Sequence, residues 1–242
     1  MLVNKHILLG ISMGMSVFIA SPTMAAEEVA SVDIPVYKPK VMGAPTRRVG
    51  GGSRGLCDVG LANRTNTSLT ILASVYTGTT STSQPTVYWS ISEGINKPID
   101  VTVNTTGFPP VKLFESTINS PKAGIHAIDF KKENITLEPG TEYELSLALI
   151  CNADDRSADI GANSAIQYEP ASGELSQKIV SAEKVEHPFI YAQAGFWYDA
   201  IDSVLVLVGN EPSNSKYRKW RDALLQNVNL KMRDNFVVES GS

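Results

Sequence analysis

Cysteine and histidine are scarce in this 242-residue chain, with Cys57 and Cys151 of the first and His6, His126 and His187 of the second. Two cysteines with no histidine clustered beside them cannot supply the four ligands of a structural zinc site. No His-Glu-x-x-His stretch occurs, which removes the helix motif of the zinc proteases. The Gly-x-x-x-x-Gly-Lys-Ser/Thr spacing of a nucleotide P-loop is missing as well. Beyond the first two dozen residues there is no apolar run of the roughly 20 residues that a membrane-spanning helix needs. Positive charge is also in short supply: 21 Lys and Arg face 25 Asp and Glu, for a net charge of −4. Nucleic-acid binders usually carry a basic balance, so the charge argues against that class.

The first residues carry a different message. Lys5 and His6 make a short positive start, Ile7–Ala20 is apolar, Ser21-Pro22 breaks the run, and Thr23-Met24-Ala25 offers small residues to a signal peptidase. This is the layout of a secretory signal peptide over residues 1–25, and it predicts a periplasmic or extracellular protein. Cleavage after Ala25 removes Lys5 and moves the formal charge from −4 to −5. No lipid-attachment cysteine follows, and no transmembrane segment is expected in the mature chain. In an oxidising compartment the two remaining cysteines predict a Cys57–Cys151 disulfide. Closing a loop of roughly 95 residues, such a bridge contributes about 2–4 kcal/mol.

From Cys57 to about Pro170 the pattern is that of strands. Leu69, Ile71, Ala73 and Val75 alternate with Thr70, Leu72, Ser74 and Tyr76, Val87, Trp89 and Ile91 with Tyr88 and Ser90, and Ile99, Val101 and Val103 with Asp100, Thr102 and Asn104. Period-two alternation marks strands with one buried face, and Gly78–Pro85 reads as a connection. The clearest strand is Tyr143–Cys151, which places Tyr143, Leu145, Leu147, Leu149 and Cys151 on one face. The preceding Leu137-Glu138-Pro139-Gly140 turn and Tyr143 resemble the tyrosine corner of immunoglobulin-like and fibronectin-like sandwiches, although Cys151 stands eight residues after the tyrosine rather than two.

After Pro170 the period changes. Leu175, Ile179 and Ala182 predict a first helix, and Ile190, Ala194, Trp197, Ile201, Val204, Leu205 and Val208 a continuous second helix that opens at Pro188 and stops at Gly209 and Pro212. Ser213 or Ser215 caps a third, with Tyr217, Trp220, Leu224 and Val228 on one face. The expected fold is therefore α+β: an antiparallel β-sandwich of immunoglobulin-like or fibronectin-like type, followed by a helical subdomain. The predicted divisions are an extended leader over 26–56, the sandwich over 57–170, the helical subdomain over 171–232 and a tail over 233–242.

One segment is distinctive. Gly43–Gly55 sets Arg47, Arg48 and Arg54 around the consecutive glycines Gly50, Gly51 and Gly52. Guanidinium forks beside open backbone N–H groups predict an anion site; the competing reading is a strap whose arginines pair with carboxylates of an acidic domain. Together with Cys57, the Pro139-Gly140…Tyr143…Cys151 strand, the run Gly195-Phe196-Trp197-Tyr198-Asp199-Ala200 and the Trp220…Leu224-Leu225 helix, this segment resembles a family of exported bacterial proteins, common in cyanobacteria and known only as a domain of unknown function (family 928). The resemblance implies export and this architecture. It implies no activity.

The remaining polar clusters read as structural. His126 reads as a core or loop histidine. Asn152, Asp154, Asp155, Arg156 and Asp159 read as a solvated turn rather than a calcium loop, because their spacing misses the EF-hand pattern. Trp197 reads as core, with Asp199 and Asp202 as capping or surface acids rather than a glycosidase pair. Lys216, Arg218, Lys219, Arg221, Lys231 and Arg233 read as a solvated helix face. No cofactor and no metal is expected. The function expected is that of a non-catalytic binding or scaffold module of the cell envelope, with an envelope protein or polymer as partner. The alternatives are a hydrolase of envelope polymers using unrecognised acids, and a chaperone-like module that donates its leader as a strand.

Overall fold

The computed structural model describes residues 33–40 and 67–231, together with Met1 and the backbone of Val49 and Gly50. The chain divides into two units, Met1–Val32 and Asp33–Ser242, and everything described apart from Met1 belongs to the second. Among the described residues there are nine strands and four α-helices. The strands are β1 (Val49–Gly50), β2 (Leu69–Ile71), β3 (Gly78–Thr80), β4 (Thr86–Ile91), β5 (Ile99–Thr105), β6 (Lys112–Ile118), β7 (Gly124–Asp129), β8 (Glu142–Leu149) and β9 (Ile160–Tyr168). The helices are α1 (Gly173–Ser181), α2 (His187–Ala194), α3 (Trp197–Asn210) and α4 (Ser215–Asn227).

The fold is mixed α+β, and its strands form two sheets that do not close into a barrel. One has the order β1-β2-β4-β7 and is antiparallel throughout; the other has the order β3-β9-β8-β5-β6. In the second sheet only the β3–β9 pair is parallel. Register explains why the β8 alternation was so clear. Leu145, Leu147 and Leu149 stand opposite Val103, Val101 and Ile99 of β5 on one side, and opposite Ser164, Ala162 and Ile160 of β9 on the other. All nine side chains are buried, so a one-residue slip of β8 would carry its whole apolar set to the polar face. At the head of this strand the Tyr143 hydroxyl accepts the Glu138 N–H at 3.0 Å, the local bond expected of the turn.

Four expectations need correction. The alternating run from Leu69 is not one strand. Leu72, Ala73 and Ser74 are all buried, and the Ala73 N–H turns back to the Ile71 carbonyl at 2.8 Å. The chain then crosses to the other sheet, where Gly78–Thr80, expected as connection, is strand β3. Three residues with every side buried carry no alternation to read. The second helix is not continuous either: Gly195 adopts φ +84°, ends α2 and lets α3 start at Trp197. The third helix is capped by Asn214, whose side chain accepts the Lys216 N–H at 3.0 Å, rather than by a serine.

The described part of the leader belongs to the fold. Tyr37 is buried and meets Trp197 edge-on at 5.0 Å. Its N–H donates to Asn227 Oδ1 at 2.8 Å, the Lys38 N–H to the Ala192 carbonyl at 3.0 Å, and Trp220 Nε1 to the Asp33 carbonyl at 2.7 Å. Lys40 lies over the Phe196 ring and pairs with Glu169 at 3.2 Å. A Cβ on Gly195 would stand 2.5 Å from Lys40 Cγ and 2.8 Å from the Lys38 carbonyl oxygen, so this glycine is required twice, for its backbone and for the strap that passes over it. Residues 33–40 are thus a strap across α2, α3 and α4.

Both sheets, the strap and α2, α3 and α4 contribute to one continuous apolar core. α3 holds the two sheets together. Trp197 Nε1 donates to the Leu72 carbonyl at 2.9 Å beside the first sheet, and the Tyr198 hydroxyl to the Ala165 carbonyl at 3.1 Å in the second. The Tyr198 ring lies so close to β3 that a Cβ at Gly78 would come within 2.7 Å of it. α1 is the exception: it buries no residue, and Val180 is 86 % exposed.

Candidate functional site

Helix α3 carries Asp199 and Asp202 one turn apart, hence on one face. That face meets the loop after β3 and the outer side of β4. Ser81, at the start of the loop, donates both its N–H and its hydroxyl to Asp199, at 2.9 and 2.5 Å. Tyr88, on β4, donates its hydroxyl to Asp202 Oδ1 at 2.8 Å. Ser203 donates back to the Asp199 carbonyl at 2.7 Å, and Thr79 donates to the Gly195 carbonyl at 2.6 Å, which fixes the α2–α3 joint against the sheet edge. From α2, His187 and Tyr191 close the far wall, their rings perpendicular with centroids 6.0 Å apart. His187 Nε2 lies 3.2 Å from the Ile179 carbonyl, which can only accept, so this nitrogen carries a hydrogen.

The result is a polar pocket of about 270 Å³, walled by Thr80, Ser81, Thr86, Tyr191, Asp199 and Asp202 among others. Burial drives its electrostatics. It raises the Asp199 carboxyl to about 6, and the hydrogen bonds from Ser81 offset only part of that shift. Burial raises Asp202 too, against the bond from Tyr88, and the charge of Asp129 pushes the same way. The Tyr88 and Tyr191 hydroxyls are raised in turn, first by burial and then by the neighbouring carboxylates. The pocket therefore holds a carboxyl that changes charge near pH 6, a second carboxyl raised in the same direction, several hydroxyls and a tyrosine ring.

The sequence reading missed this site. Asp199 and Asp202 are half-buried and turned inward, not capping or surface acids as expected. Their spacing of three was the one legible hint. The partners Ser81 and Tyr88 lie more than a hundred residues away in sequence, where nothing local distinguishes them.

The sequence-predicted residues stand elsewhere. Arg47, Arg48, Gly51, Gly52, Arg54 and Cys57 lie outside the described residues, and of Gly50 only the backbone is described, paired with Leu69 in β1. Gly51-Gly52-Ser53-Arg54-Gly55 also spells Gly-x-Ser-x-Gly, the spacing of a hydrolase nucleophile elbow, and lies outside the described residues too. Cys151 is buried just past β8, and its N–H donates to Asp159 Oδ1 at 2.9 Å. His126 stacks on Trp89 at 4.5 Å and meets the Lys122 carbonyl at 2.8 Å.

The acidic loop closes on itself: Asp155 caps the turn Arg156–Ala158 through the Ser157 N–H, the Ser157 hydroxyl and then that N–H lower its pKa, and Arg156 joins Asp159 and Asp100. Among the described residues no three His, Cys, Asp or Glu side chains group as metal ligands. Arg221 corrects the expectation of a solvated basic face. It is only 2 % exposed and pairs with Asp222 at 2.8 Å.

With this geometry in hand, the comparisons are brief. The family model described as Domain of Unknown Function (DUF928) matches residues 49–237, most of the chain. The chain belongs to this family. No curated protein matches it. The matched span takes in every strand and helix of the DUF928 fold described above, and all the pocket residues with it. Among the described residues no helix is long and apolar enough to cross a membrane.

Proposed function

We propose that this DUF928 protein is an exported, non-catalytic binding module of the cell envelope, and that the pocket beside α3 is where it binds. The observation that carries the reading is the pair of hydrogen bonds that Ser81 donates to Asp199. Both carboxylate oxygens are occupied by the fold itself. Bonded to each other in this way, Ser81 and Asp199 fix one wall of the pocket, which suits holding a ligand. Export to the periplasm or outside the cell is part of this proposal and rests on residues 1–25. So is the Cys57–Cys151 disulfide, which rests on compartment and even count. The kinship with immunoglobulin-like and fibronectin-like sandwiches is supported by the Tyr143–Glu138 bond; the parallel β3–β9 pair is a departure from it.

Incubation with insoluble envelope polymer tests the reading by two readouts, co-sedimentation and release of soluble fragments. Retention without release is the expected result. A second reading, an envelope-polymer hydrolase, is favoured by one observation: Asp199, raised to about 6, could deliver a proton near neutral pH. Fragment release that disappears in Asp199→Asn or in Ser53→Ala would establish that reading instead. Neither retention nor release would contradict both.

A further inference from the structure

The pocket beside α3 is unbalanced in charge. Two carboxylates line it, and neither Lys nor Arg is among its lining residues. Asp129, near Asp202 and Tyr88, adds a third negative field. Asp199 has both oxygens occupied, but Asp202 does not: Oδ1 accepts from Tyr88, and Oδ2 has no hydrogen bond among the described residues. A half-buried carboxylate oxygen of this kind calls for a donor. A neutral hydroxyl would satisfy its geometry and leave the charge uncompensated, whereas a cation satisfies both. Other lining residues are suited to one. The half-buried Tyr191 brings an aromatic ring to the same pocket, to attract a cation and pack against its apolar stem, and the Thr86 hydroxyl can accept from an ammonium group. The volume of about 270 Å³ falls at or below the small end of ordinary ligand sites, so the bound moiety is a single ring or a short chain.

We infer that this pocket captures its ligand through a protonated primary amine seated between Asp202 and Tyr191, an inference that rests on the pocket being a binding site. The amine could be borne by an amino sugar or by an alkyl chain such as a lysine stem. Titrations with glucosamine, n-butylamine and N-acetylglucosamine at about pH 6.5, where both amines are charged, separate the sources. Amide chemical shifts report the site. Saturable shifts at Ser81, Tyr191 and Asp202 are expected with at least one amine, with N-acetylglucosamine at least about tenfold weaker. Glucosamine alone would assign an amino sugar, n-butylamine alone an alkylammonium, and either supports the inference. Affinity should fall with added salt, and by about tenfold in Asp202→Asn. Should that variant fail to fold, the salt dependence of the unmodified protein decides. Binding of N-acetylglucosamine as tight as that of the amines, or no saturable shift with any of the three, overturns the inference. Polymer retention without amine binding would overturn it and leave the binding-module reading standing; amine binding without polymer retention would do the reverse.

Discussion

Asp199 ties the loop after β3 to α3, and its titration should be visible in the stability of the whole protein. Its folded pKa, about 6, lies above the ordinary value of 3.8 because burial disfavours the charge. The folded state therefore binds this proton more tightly than the unfolded chain does. The stabilisation is fully present below the ordinary pKa and is lost as pH rises through about 6. Asp202 is raised in the same direction and adds to the slope. Unfolding midpoints measured between about pH 4 and pH 8 should fall with pH, and Asp199→Asn, which imitates the neutral acid, should flatten that fall. A pH dependence in Asp199→Asn identical to that of the unmodified protein would refute the assignment. Gly195 offers a second test at this scale. Its φ of +84° and the 2.5 Å approach of Lys40 Cγ leave no room for a methyl group, so Gly195→Ala should destabilise by about 1–3 kcal/mol in urea unfolding.

Elements differ sharply in how far they are committed to the core. The strap 33–40 contributes Tyr37, buried against Trp197, and three backbone or indole hydrogen bonds to the helices. Tyr37→Ala should cost about 2–4 kcal/mol and expose the strap to proteases. The described part of the leader is thus engaged within its own fold rather than held out as a donor strand. Helix α1 is the opposite case. It shows an apolar stripe in sequence and buries nothing, so Ile179→Ala should change stability by no more than about 0.5 kcal/mol, while Ile201→Ala on α3 should cost about 2–5 kcal/mol. Periodicity alone could not separate these two helices, because a stripe states what a helix could bury and not whether a surface is there to receive it. The strands β5 and β8 were legible for the complementary reason: each has one buried and one half-exposed face, so burial wrote a period of two into the sequence. β3 was not, since its three residues are buried on every side. The break at Gly195 was signalled by the glycine itself but was masked by apolar spacing that runs on through it.

At the scale of the whole molecule, a single helix joins two sheets and leaves a pocket where the junction is polar. Trp197 and Tyr198 make the apolar part of that junction, and Asp199 and Asp202 the polar part. The tryptophan could be placed in the core from its spacing, but the aspartates could not be placed in a site, because Ser81, Tyr88 and Tyr191 meet them only through the folded topology. The Gly/Arg segment identified the family and named no activity, and the described site is built from other residues. The central claim is that the pocket holds a ligand of the cell envelope. It is tested most directly by binding isotherms to insoluble envelope polymer for the unmodified protein and for Tyr191→Ala, with thermal midpoints measured beside them. The account predicts that the variant loses at least about tenfold in affinity while its midpoint stays within a few degrees. Unchanged affinity in the variant would contradict it.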